Sequence, residues 1–159
     1  MPFTEKLKEL NACSEAVKWC ESYSTLQEAW DVCERGEWSL WLVGKLSGEP
    51  GSEKRKRLVL CACECARLSL QFVSKGEERA LKAIETAEKW ADGDNSVSLQ
   101  DIRNAADAAN AAADAANAAA DAADAAYAAA DAADASVKKQ TLKQCADIVR
   151  KHYPKAPEI

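Results

Sequence analysis

Ser52-Glu-Lys-Arg-Lys-Arg-Leu-Val-Leu-Cys-Ala-Cys-Glu-Cys-Ala-Arg67 decides the fold class. It comes after Ser47-Gly-Glu-Pro-Gly, the clearest loop in the chain, and Ser52 stands where a helix N-cap belongs. The spacing predicts a long helix from Glu53 to Val73, closed by Gly76. On such a helix Cys61 and Cys65 share a face and Cys63 points elsewhere. The aliphatic run from Leu58 to Cys63 stops at Glu64 and is too short to span a bilayer.

Outward from this stretch the pattern stays helical. Ser14 precedes a short amphipathic turn set with Val17 and Cys20 on one side. Thr25 with Glu28 is a capping-box pattern opening a helix over Leu26 to Glu34, and Gly36 reads as its stop. Trp38, Trp41 and Leu42 form an apolar face on a segment ending near Ser47. Leu81, Ile84 and Ala87 make a further helix closed by Gly93, and Ser98 with Asp101 caps the repeat segment. The last predicted helix runs from Lys138 to Tyr153, before Pro154. No run alternates as a strand does. The expectation is an all-α, compact multi-helix bundle of one domain over 1–159. Within it, 1–97 carry the Trp- and Cys-containing helices, 98–136 a repeat helix and 138–153 the C-terminal helix.

The repeat is unusual. Residues 105–111 and 112–118 are both Ala-Ala-Asp-Ala-Ala-Asn-Ala, and 119–125 differ only at Asp124. Asp107, Asn110, Asp114, Asn117, Asp121 and Asp124 fall on one helical stripe, with Ala around the rest of the circumference. The stripe reads either as a solvated edge of a closely packed helix or as an acidic ladder for a basic protein surface. A straight row cannot wrap six oxygens around calcium. A helix from Leu99 to Ser136 would be nearly 60 Å long, so a break is expected near Tyr127, where the register slips.

Charge is equally segregated. The 159 residues carry a net charge of -5, with 21 Lys and Arg against 26 Asp and Glu. Six of the Asp lie between Asn104 and Ser136, where there is no Lys or Arg; the remainder is close to neutral. That excludes a strongly basic nucleic-acid binder, and a sequence-specific nucleic-acid partner is not expected. The N-terminal residues contain no apolar stretch of signal-peptide length, so the expected location is the cytoplasm, with no membrane partner. In that reducing compartment the seven Cys read as small buried hydrophobes, and no metal or cofactor is implied.

Lys54, Arg55 and Arg57 occupy the first turns of their helix, where the macrodipole disfavours cations unless an anion is present. Together with Arg67 they form a candidate anion site, the alternative being a solvated basic face. Trp38 and Trp41 are candidates to stack on a ligand, or simply core. A lone His152 and the absence of a nucleophile motif or nucleotide-binding Gly pattern argue against an enzyme.

Glu34-Arg-Gly-Glu-Trp-Ser-Leu-Trp-Leu-Val-Gly-Lys45, Arg57-Leu-Val-Leu-Cys-Ala-Cys-Glu-Cys-Ala-Arg-Leu68, Ala83-Ile-Glu-Thr-Ala-Glu-Lys-Trp90, the Ala repeat and Cys145-Ala-Asp-Ile-Val-Arg-Lys151 resemble, as a set, immunity-protein-like helical domains of bacteria and phages. The likeness runs from about Leu10 to Tyr153. It implies a non-enzymatic immunity or counter-defence protein that neutralises its target by stoichiometric binding. The target would be a toxin or defence component, met through the acidic stripe, or a small anionic nucleotide signal, met through the basic cluster. A structural adaptor that forms a homo-oligomer through its Ala faces is the third expectation.

Overall fold

Short-range hydrogen bonds start several of the helices. The Glu28 amide donates to Thr25 Oγ1 at 3.1 Å, and the Thr25 amide donates to Glu28 Oε2 at 3.3 Å, a complete capping box. Ser52 Oγ accepts from the Arg55 amide at 3.2 Å and donates to the Ser47 carbonyl at 3.0 Å, so one hydroxyl joins the loop to the helix it opens. Ser98 and Asp101 exchange bonds in the same way as Thr25 and Glu28.

The computed structural model describes residues 2–49, 51–72, 75–76, 78–105 and 131–159. The described residues form helices α1 (Phe3–Glu9), α2 (Ser14–Cys20), α3 (Leu26–Val32), α4 (Gly36–Leu46) and α5 (Glu53–Arg67), a 3-10 turn over Leu68–Phe72, then α6 (Arg79–Ala91), α7 (99–105) and α8 (Asp131–His152). Among the described residues there is no strand, and the fold is all-α. The stripe residues Asp107, Asn110, Asp114, Asn117, Asp121 and Asp124 lie outside the described residues, as does the break expected near Tyr127.

Helix α5 is central. It packs against α6 on one side and against α8 and α4 on others, while α4 packs on α8 and α1 on α2. The cysteines make this legible: Cys61 and Cys65 face α8, where Cys65 Sγ lies 3.7 Å from the Cys145 carbonyl. Cys63 faces α6, 3.7 Å from the Ile84 carbonyl. All seven thiols are free, and five are buried. On α8, Ala146 and Val149 are fully buried and continue the stripe begun by Leu142 and Cys145. Around them the core gathers Leu7, Val17, Trp30, Leu42, Val43 and Leu58.

Several local expectations change. Ser14 is the first residue of α2 and Cys13 its N-cap, with no side-chain cap bond. The α5 helix ends at Arg67, not Val73, and tightens into a 3-10 turn. Gly36 opens α4 rather than stopping α3: it is buried where α4 crosses α8, and a Cβ there would overlap Cys145 Cβ. The helix α8 also begins earlier than Lys138.

After α8 the chain returns across the bundle. Trp30 Nε1 donates to the Tyr153 carbonyl at 3.0 Å, the Ala156 amide donates to Gln27 Oε1 at 2.8 Å, and Lys6 Nζ donates to the Ile159 carbonyl. These bonds lay the segment from Tyr153 to Ile159 against α1 and α3. Among the described residues no helix is long and apolar enough to cross a membrane.

Candidate functional site

The basic residues of α5 do not act as one group. Arg67, ten residues and so about 15 Å along the axis from Arg57, forks onto Glu88 of α6 with bonds of 2.9 and 2.6 Å. That fork holds the Glu88 carboxyl below its ordinary value and neutralises Arg67. Arg67 therefore fastens α5 to α6 and leaves the anion site. Arg55 Nη2 donates to the Gly48 carbonyl at 2.8 Å, stitching down the loop before the helix.

Lys54 and Arg57 are brought together, one turn apart, at a cavity of about 230 Å³. Its lining also includes Ser47 and Val43 of the α4 end, and Tyr153, Lys155 and Pro157 of the returning C-terminal segment. Arg57 donates to the His152 carbonyl at the end of α8, and its guanidinium lies 4.9 Å over the Tyr153 ring. A cation at a helix C-terminus is favourable, which fixes Arg57 in place. Its partner there is a neutral carbonyl, so its charge is not cancelled. Glu53, the acidic residue of the first turn, pairs instead with Lys56 at 3.2 Å. Among the described residues, three cations thus line the cavity and no carboxylate does.

The two tryptophans stand elsewhere. Trp41 is partly buried against the core, with Lys45 Nζ 5.7 Å from its ring. Trp38 lines a cleft of about 620 Å³ between α2, the α3–α4 junction and α8. There the Trp19 ring lies 4.7 Å from Tyr23 and 5.8 Å from Trp38, and the Arg35 guanidinium covers Trp38 at 4.3 Å. Stacking residue and basic pair, read together from the sequence, therefore belong to two different cavities.

Sequence reasoning missed Lys155, Ser47 and Tyr153, because nothing local says that the chain turns back after Pro154. It also missed the surface pair in which His152 Nε2 meets Glu64 Oε2 at 2.7 Å, with Lys151 Nζ 3.0 Å from the other oxygen. The His152 bond, helped by Lys151, holds the Glu64 carboxyl below its ordinary 4.5. A depressed carboxylate contributes stability above its unfolded value and loses it as pH falls through the folded one. The melting temperatures of wild type and Glu64→Gln should therefore differ at pH 7 and converge as the pH drops below 4.5. A gap that stays constant to pH 3 would show that the pair contributes nothing ionic.

Three of the buried or half-buried thiols are poor nucleophiles. Burial pushes Cys20 and Cys63 up to about 11 and Cys145 up to about 12. Among the described residues no cluster of three or more His, Cys, Asp or Glu could hold a metal ion. Comparison with family models, with curated proteins and with solved structures finds no match to this chain.

Proposed function

We propose that this protein is a non-catalytic binder that sequesters a small anionic ligand, of the phosphate-ester class, in the cavity of Lys54, Arg57 and Lys155. On the resemblance of its sequence blocks, that sequestration serves an immunity or counter-defence role in a bacterial or phage conflict system. The supporting observation is the charge of the cavity wall: among the described residues three cations and no carboxylate, with the first turn of α5 behind them. Arg57 is pre-positioned by the His152 carbonyl and the Tyr153 ring, so little side-chain entropy is lost when an anion arrives. Lys54 and Lys155 are exposed, and among the described residues neither makes an ion pair, so both supply charge to a ligand.

Melting curves in the presence of inorganic phosphate, pyrophosphate and a panel of linear and cyclic nucleotides test this reading. A bound anion at a hundred times its Kd should stabilise the fold by about 2.7 kcal/mol, a rise of about 5–10 °C. Lys54→Gln with Lys155→Gln should leave the ligand-free melt in place and weaken binding at least ~10-fold. Flat curves across the panel, or unchanged affinity in the double variant, would remove the proposal.

A further inference from the structure

The cleft beside Trp38 has a different chemistry. One wall is a contiguous aromatic surface of Trp19, Tyr23 and Trp38, with rings inclined at 49° and 58° to one another. All three are partly exposed, and Val32, 52% exposed, forms an apolar lip at the same opening. The rings already touch each other, so a planar ligand lies against them rather than between them. Arg35 is immobilised over Trp38 by Glu15 at 2.9 Å and by Glu37. The wall is therefore rigid before any ligand arrives, which lowers the entropic cost of binding.

The charges lining the cleft decide what fits. Glu15 is spent on Arg35, and Glu34 lies 4.0 Å from Lys143. Lys138 and Lys139, both exposed on α8, line the cleft, and among the described residues neither makes an ion pair. A ring that covers Trp19 and Val32 removes apolar surface from water, and an acid group on it reaches the lysine side. The cleft, about 620 Å³, is within the ordinary range for a small-molecule site. We propose that this cleft binds a planar aromatic ring carrying an acid group, the ring against Trp19 and Val32 and the acid on Lys138 and Lys139.

This site is separate from the cavity at Lys54 and Arg57. Lys139 and Tyr153 are fourteen residues apart on α8 and its end, roughly 20 Å. The two proposals therefore fail independently. The test is calorimetric titration of the full chain with 2-naphthoate, indole-3-acetate and adenosine monophosphate, with neutral 2-naphthalenemethanol as control. At least one acid should bind saturably, the neutral control at least ~10-fold more weakly, and Lys138→Gln with Lys139→Gln should cost a similar factor. The Lys54→Gln, Lys155→Gln protein should bind the naphthoate and indole acids as wild type does. Absence of saturable heat for every acid up to about 5 mM would overturn the proposal. So would binding indifferent to the Lys138 and Lys139 changes, or a neutral control that binds as tightly as the acids.

Discussion

Gly36→Ala should lower the unfolding free energy by about 3 kcal/mol or more, read from urea denaturation with an unchanged m-value. The added methyl carbon would overlap Cys145 Cβ and lie 2.7 Å from the Ala146 nitrogen and 2.8 Å from the Leu142 carbonyl oxygen. Two of the three atoms are backbone, so no rotamer change relieves the contact, and α4 must move off α8. Cys145→Ala would not rescue it, because alanine keeps the offending Cβ. Gly44, in the same helix, supplies the opposite sign. A Cβ there meets only Leu58 Cδ2 at an ordinary 3.8 Å, and alanine is the better helix former by up to about 1 kcal/mol. Gly44→Ala should therefore leave stability unchanged or raise it. A Gly36→Ala protein as stable as wild type would mean that α4 and α8 do not cross as closely as described. The Trp38 cleft, whose walls stand on those two helices, would lose its geometry with them.

Gly36 also shows where sequence reading stops. A glycine that ends a helix and a glycine that admits a neighbouring helix look alike in one chain, and the deciding contact is with Cys145, far along the sequence. The caps at Thr25, Ser52 and Ser98 were legible because both partners lie within three residues. The opposed faces of Cys61, Cys65 and Cys63 were legible for the same reason, since helical geometry alone separates them. The candidate site divides along this line. Lys54 and Arg57, three apart on one helix, were found; Lys155 was not, because its place depends on bonds from Trp30, Gln27 and Lys6 to a segment that returns from the far end of the chain. Arg67 joined the cluster in the sequence because its neutralising partner, Glu88, is on another helix. The Trp38 pairing with Arg35 was hidden as well, because Gly36 read as a helix stop between them, and Arg35 is the non-helical N-cap of α4.

Trp30→Ala should be the most damaging of the larger core truncations, at about 3–5 kcal/mol. Against a typical total of about 5–15 kcal/mol, that loss should lower the melting temperature by roughly 6–20 °C. Trp30 is 4% exposed in the centre of the core. Its backbone carbonyl also receives Arg150 Nη1 at 3.2 Å, beside the Cys33 carbonyl at 2.6 Å, so α3 and α8 are tied at the same point. Trp30→Phe separates packing from hydrogen bonding. It keeps most of the ring but removes the Nε1 donor, leaving the Tyr153 carbonyl without its partner at a cost of about 1–3 kcal/mol. Tyr153 is also the ring over which Arg57 sits, and Lys155 comes two residues later, so the effect should reach the basic cavity. Trp30→Phe should therefore fold, melt lower and bind phosphate several-fold more weakly, although Trp30 does not line that cavity. If it melts lower yet binds phosphate as wild type does, the Gln27 and Lys6 bonds suffice to place Lys155. The anion cavity would then owe its shape to the outer strap rather than to the core.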